Sequence, residues 1–357
     1  MYRTDVTPLS GPFDGDGWDH LGPSAAVQGG RWLRSMISRL PGEPVTVLHS
    51  GPNGALAFTG AVIRDNGAYE AYNPWAILRR KDAVFPEAEC SRRRVLPQLG
   101  DGPEEILPTL LLVAPGYLGD PVGAAADRPE SVKQCLTDVC AWARGADLAT
   151  VSVLYTTPTA SRVLEPAVGA LGGESFELTT RSMMRVTWDD EKGLSACRSK
   201  RQRIEAGRQL RRLAERGCFV GTGDPDELFD EVVEGRCALL RWYGQPADEA
   251  SERRRLRTLI DSFGRDLLLY TAHHESRLIA HALFVSDRRT LQNVYVGTTE
   301  EGRNMPYAHL AVTYHEPMRR AARERYDWID YGVGHGSTKR LQGCDSVSLA
   351  GHVIPLY

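Results

Sequence analysis

The feature that most constrains this chain is an internal repeat. Residues 44–65 (PVTVLHSGPNGALAFTGAVIRD) and 267–287 (LLLYTAHHESRLIAHALFVSD) each read as an apolar run, a short polar turn and a second apolar run ending in Asp. The turns hold Gly51, Pro52, Asn53 and Gly54 in one copy and His274, Glu275 and Ser276 in the other, so both predict antiparallel hairpins. A further strand follows each hairpin, at 108–116 and 291–299, then a helix at about 130–144 and 306–325. Another strand comes next, at 146–155 and 326–334, and each copy closes on a last apolar run, 182–188 and 346–356. Strands flanking one long helix, without strict strand–helix alternation, predict a mixed α+β fold of two tandem lobes. The expected boundaries are 1–190 for the first lobe, 191–217 for a linker helix and 218–357 for the second, with the active site in the cleft between lobes. The irregular segment 70–106, with RRK at 79–81 and RRR at 92–94, belongs to the first copy only and reads as a loop insertion.

Charge is uneven along the chain, although the net value is only −3. Arg198 to Arg216 holds eight basic and two acidic residues, a local charge of +6, and Thr222 to Gly235 holds six acidic and no basic ones, a local charge of −6. Ala206, Leu210, Leu213 and Ala214 form one narrow apolar stripe at helical spacing, and Gly217 is placed to end the helix. Such a helix docks by one side and presents cations on the other, either to a polyanion or to the acidic stretch after it.

Other features bound the class. The longest apolar stretch, Leu110 to Ala114, is far short of the roughly 18 residues a membrane span needs, and the N-terminal residues have no signal-peptide core. Seven cysteines without a CxxC pair fit neither a disulfide framework nor a zinc knuckle and are expected in a reducing cytoplasm. No G-x-S-x-G elbow is present, so direct transfer is favoured over an acyl-enzyme. The run GVGHG (332–336) is not G-x-G-x-x-G, so it does not predict a dinucleotide site. His309 and His315, six apart, are off the spacing for a shared metal and read as helix-face residues. Pro317 predicts a kink within one helix. Trp242 and Tyr243, in the apolar run ALLRWYG, read as core residues, with base stacking as the alternative role.

Four short matches, in order, carry a resemblance. QGGRW (28–32) is similar to the Q-x-x-x-W that opens the first domain of Fem-type peptidyl and aminoacyl transferases, a duplicated GNAT fold. SKRQRIEAGRQLRRLAERG resembles that family's basic helix, YDWIDYGVG its Y-D-F-G strand end, and Lys339 with Gly343 the spacing of its F-K-x-G-F-G motif. The resemblance implies two GNAT-like lobes and amide-bond formation, with an aminoacyl group passing from tRNA to an amine. It implies Lys339 and Asp330 as catalytic residues, the first stabilising negative charge and the second as a candidate base. Lys200, Arg201, Arg203, Arg208, Arg211 and Arg212 would contact tRNA, and Gln28, Trp32, Tyr295 and Tyr307 would bind substrate. No cofactor is expected beyond the charged tRNA as co-substrate.

Departures narrow the acceptor. The position of the cell-wall members' diphosphate-binding lysine is Met36, the aromatic before the second-copy lysine is Thr338, and Cys344 replaces a small residue. A small amine or peptide of a natural-product pathway, such as antibiotic biosynthesis, is therefore favoured over a muramyl-peptide acceptor. GNAT enzymes that use CoA hold its pyrophosphate on a [RQ]-x-x-G-x-[GA] loop at a helix N-terminus. The corresponding stretches here, PGYLGDPVG (115–123) and VGTTEEGRNMP (296–306), lack that pattern. A CoA-thioester donor and a non-catalytic binding module of the same fold stand as the two alternatives.

Overall fold

A computed structural model describes residues 2–356 except 68, 80–102, 198 and 288, so most of the expected loop insertion lies outside the described residues. The chain is a mixed α+β protein that divides into two compact units. One comprises Met1–Arg181 with Val347–Tyr357, the other Ser182–Ser346.

In the first unit, strand β1 (Arg3–Pro8) pairs antiparallel with β2 (Glu43–Gly51), and β2 forms the expected hairpin with β3 (Gly54–Ile63). Strand β4 (Thr109–Leu112) joins β3 antiparallel and β5 (Thr150–Thr156) parallel, the crossover being made by helix Pro129–Gly145. That helix starts on Pro129, whose missing N–H falls where no intrahelical bond is due. It buries Val132, Leu136, Val139 and Ala143 in a core with Val47, Phe58, Leu110 and Val153. Cys135 and Cys140 lie in this core, where burial pushes the Cys140 thiol up to about 11. The six described cysteines are free thiols.

The second unit repeats the order. After β6 (Glu174–Arg185), which belongs to the first unit up to Arg181, and helix Lys200–Glu215 come β7 (Cys218–Gly223) and helices Phe229–Trp242 and Glu249–Phe263. The hairpin of β8 (Leu267–His274) and β9 (Arg277–Asp287) then leads into β10 (Thr290–Thr298). β10 pairs antiparallel with β9 and parallel with β11 (Trp328–Val333). The helix expected over 306–325 starts later and is not uniform. Glu300–Asn304 is a separate short helix, Tyr307 turns left-handed at φ 70°, and Ala308–Leu310, a π-helical stretch Ala311–His315 and Glu316–Arg323 then run on as one rod. Pro317 comes just after the π segment, where a widened turn accommodates the residue that has no N–H to give. Among the described residues no helix is long and apolar enough to cross a membrane.

Two expectations are corrected here. The last strand, β12 (Asp345–Pro355), does not close the second copy: its residues Ala350–Pro355 pair antiparallel with β5, so Val347–Tyr357 belong to the first unit. In helix Lys200–Glu215 the buried positions are Gln209 and Leu213, while Ala214 is exposed. Gln209 is drawn inward because its amide bonds the His315 Nε2 (2.9 Å) and the Glu205 carboxylate (3.0 Å). Ser199 and Gln202 cap this helix reciprocally, and Gly217, at φ 70°, turns the chain out of it as expected.

Candidate functional site

The site of the second unit is built where two strands part. β10 and β11 pair only from Thr290–Gln292 to Trp328–Asp330; beyond that β10 stays with β9 and β11 leaves. Val294 is an extra residue in the β9–β10 ladder, a bulge that turns its carbonyl out of the pairing. Main-chain groups freed in this way need other partners. On β10 they are guanidiniums: Arg255 donates to Val294 O (3.1 Å) and Arg236 to Val296 O (3.3 Å). Both lie over the Tyr295 ring, at 5.1 and 5.3 Å, with the buried Glu252 carboxylate 3.8–3.9 Å from each. Tyr295, expected to bind substrate, is thus enclosed in this structure, with His281 stacked on it.

On β11 the partner is Lys339. Its ammonium donates to Tyr331 O (2.7 Å), Val333 O (3.0 Å) and Gly332 O (3.1 Å), three consecutive carbonyls that converge because Gly332 takes φ 69°. An ammonium carries three hydrogens, all engaged here, so none is left for an oxyanion. Lys339 is 8% exposed. In this structure the ammonium of Lys339, expected to stabilise charge on the substrate, ties the strand end together. Asp330, also buried, accepts from Gly332 N (2.8 Å) and steadies the same turn.

The mouth of the parting is aromatic and cationic. His335, in the left-handed region at φ 50°, lies just past the end of β11 and stacks on Tyr243 with ring centres 6.1 Å apart. Arg303, five residues past the end of β10, lies 5.8 Å over the Trp242 ring and reaches Thr298 O (3.5 Å). The pair Trp242–Tyr243 therefore touches a residue just beyond each of the two strand ends. Trp242 is 60% and Tyr243 50% exposed, which overturns the expectation that they are core residues. The apolar run is helical, but the helix ends at Trp242, just past its last buried residue, Leu240.

His309, expected on a helix face, holds a more particular position. Its Nδ1 is shielded from solvent and has no hydrogen-bond partner among the described residues. Burial and the neighbouring His335 hold its pKa below the ordinary histidine value. No signal in the sequence separates it from a helical filler.

Tyr307 connects this mouth to the basic helix. Its hydroxyl accepts from Arg212 (3.3 Å) and Arg208 (3.4 Å), and Arg208 is held by a two-pronged pair with Glu205 (2.6 and 2.9 Å). Arg203 donates to Ser195 O (3.2 Å), while Lys200, Arg201, Arg203, Arg211 and Arg212 are exposed. Two residues of the acidic stretch pair elsewhere: Asp226 with Arg257 (2.6 Å) and Asp230 with Arg253 (2.7 Å), both from helix Glu249–Phe263.

In the first unit, Gln28 and Trp32 are buried and spend their polar groups on one loop. Gln28 Nε2 donates to Asp120 O (2.6 Å) and Trp32 Nε1 to Pro115 O (2.5 Å). Both residues, expected to bind substrate, thereby hold the 115–120 segment in this structure.

Residues 198–340 match the family described as acetyltransferase (GNAT) domain. The second half of the chain is thus similar to a GNAT acetyltransferase domain. Solved structures extend the likeness over both units. FemX aligns over 99% of this chain and 97% of its own with a TM-score of 0.60 at 10% identity. A tandem GNAT protein from the clavulanic acid biosynthesis pathway, solved without acetyl-CoA, covers 98% of both chains at a TM-score of 0.50 and 11% identity. A conserved protein of unknown function from Bacteroides thetaiotaomicron covers 91% of this chain and 89% of its own at a TM-score of 0.54 and 11% identity. At these identities the shared property is the fold: two GNAT-like lobes in tandem. Among curated proteins nothing matches this chain.

Proposed function

We propose that this protein is an acyltransferase that takes an aminoacyl group from charged tRNA and joins it to the amine of a small molecule or peptide. The observation that carries the reading is the meeting of the basic helix with the site: Arg208 and Arg212 converge on Tyr307, two residues before His309. The stretch where a CoA-dependent relative would seat a pyrophosphate supports it from the other side. Glu301 is fixed there by His274 (2.5 Å) and Arg277 (2.7 Å), and the exposed Glu300 beside it would repel a diphosphate. A CoA-thioester donor is the second reading, favoured by the tandem GNAT protein whose description names acetyl-CoA.

In this reaction the amine nitrogen attacks the ester carbonyl, the C–N bond forms, the C–O bond to the ribose breaks, and the amine's proton goes finally to the released hydroxyl. Holding donor and acceptor together supplies much of the rate, because the ester is already activated. His309, held below the ordinary histidine pKa, is our candidate to accept the amine proton, and this requires the bound amine to enter the shielded space at its Nδ1. Its neutral form is the active one, so kcat/KM should show, besides the titration of the acceptor amine, a separate acid limb as pH drops through a pKa below 6.5. His309→Gln should cost about 100-fold in turnover and abolish the acid limb. An unchanged limb in the variant assigns the proton to another group.

The donor reading is tested by the salt dependence of tRNA binding. Each neutralised phosphate releases counterions and steepens the fall of affinity with salt. Arg201 and Arg211 are the informative pair, because they are exposed, whereas Arg208 is tied to Glu205. Replacing both by Ala should reduce the slope by about two and leave thermal stability unchanged. An unaltered slope would mean that this helix does not meet the nucleic acid.

A further inference from the structure

We propose that Trp242 and Tyr243 form a stacking platform for the unpaired bases at the 3′ end of the RNA donor. This inference rests on the tRNA reading and locates one part of it. The two rings lie 4.8 Å apart at 50° to one another at the end of helix Phe229–Trp242, more than half exposed in one case and half in the other. A single exposed aromatic is ordinary; two adjacent ones, each already engaged by a cationic or heteroaromatic neighbour, are not accounted for by the core.

Several observations favour a nucleobase as the occupant. Arg303 lies over Trp242 and His335 stacks on Tyr243, so the patch combines flat π surface with positive charge, the chemistry that holds bases of any identity. Arg241, exposed and next in sequence, adds a further cation. The platform also stands at the end of a connected track. From Arg208 and Arg212 the contacts pass to Tyr307, which precedes the short helix carrying His309, and His309 neighbours His335, the partner of Tyr243. A polyanion lying along the basic helix is thereby led to the mouth of the parted strands, where an ester at its terminus would meet His309. An apolar peptide would need none of these cations.

The test uses deacylated tRNA and the same tRNA trimmed of its unpaired 3′ nucleotides. Wild-type protein should bind the intact molecule about tenfold or more tightly than the trimmed one. Trp242→Ala and Tyr243→Ala should each lose about tenfold for intact tRNA, lose nothing for trimmed tRNA and keep the wild-type salt slope, while Trp242→Phe retains most of the affinity. Both residues are exposed, so unchanged melting of the variants is the control for folding. If the wild type binds intact tRNA and both alanine variants bind it equally well, the platform is overturned and the donor reading stands. If the wild type binds neither RNA, the donor reading fails and takes the platform with it. If the alanine substitutions instead abolish a wild-type dimer seen by sedimentation, the patch is an interface between copies and the platform is overturned.

Discussion

Acidification from pH 6.5 to pH 4 is expected to destabilise each unit by about 3 kcal/mol through one buried histidine. In the first unit His352 lies between Ser175 Oγ at Nδ1 (2.7 Å) and Thr156 Oγ1 at Nε2 (2.8 Å), and burial lowers its pKa to about 4. In the second, burial, then the positive charge of Arg236 and then His309, lowers His281 to about 3. Gly235 and Gly297 press on the His281 ring, where any Cβ would collide with it. Both rings fold as neutral groups. Below pH 6.5 the unfolded chain binds a proton that the folded one refuses, so the stability is full above 6.5 and is lost as pH falls toward the folded value. The loss is about 1.4 kcal/mol per pH unit for each histidine. Urea midpoints at pH 7 and pH 4.5 measure it. His281→Leu should flatten the pH dependence of the second unit and His352→Gln that of the first; variants with the wild-type dependence would show that these rings do not set it.

Lys339→Met is expected to unfold the second unit at a temperature about 10 °C below wild type. The substitution strips a charge-assisted donor from three carbonyls at once. Even after the cost of burying the ammonium is credited back, bonds of this kind imply a loss of about 3 kcal/mol. For a unit of this size each kcal/mol moves the midpoint by roughly 2–4 °C. Lys339→Arg should not restore stability, because a planar fork cannot converge on three carbonyls as a tetrahedral ammonium does. Turnover should fall with the displaced strand end in both variants. A Met variant that melts like wild type yet loses about 100-fold in turnover would return Lys339 to a direct role in the chemistry.

The hairpins and the repeated order of strands and helix are legible in the sequence because each is a local pattern: apolar runs of strand length broken by turn residues. Where a strand pairs is not a local property. The run 346–356 reads as a strand in either unit, and only the open edge of β5 decides that it joins the first. The same limit applies at the site. The spacing from Lys339 to Gly343 is visible in the sequence, but the lysine's role is set by the left-handed turn at Gly332, which gathers three carbonyls around it. Tyr295 is enclosed by Arg236 and Arg255, which come from helices well before it in the chain, and Trp242 is exposed because the helix stops there; neither can be deduced from hydrophobicity. The basic helix is the most legible element of the site, since its charge, its cap at Ser199 and its stop at Gly217 are all encoded locally.

The most direct test of the donor assignment is to follow a labelled amino acid. The protein is incubated with tRNA charged with labelled amino acids and a pool of small amines and peptides, and base-stable amide product is counted, with ribonuclease pretreatment and with acyl-CoA in place of tRNA as the two other arms. The predicted result is amide product from charged tRNA, its loss after ribonuclease, and none from acyl-CoA. Product that survives ribonuclease and requires acyl-CoA would contradict a tRNA donor.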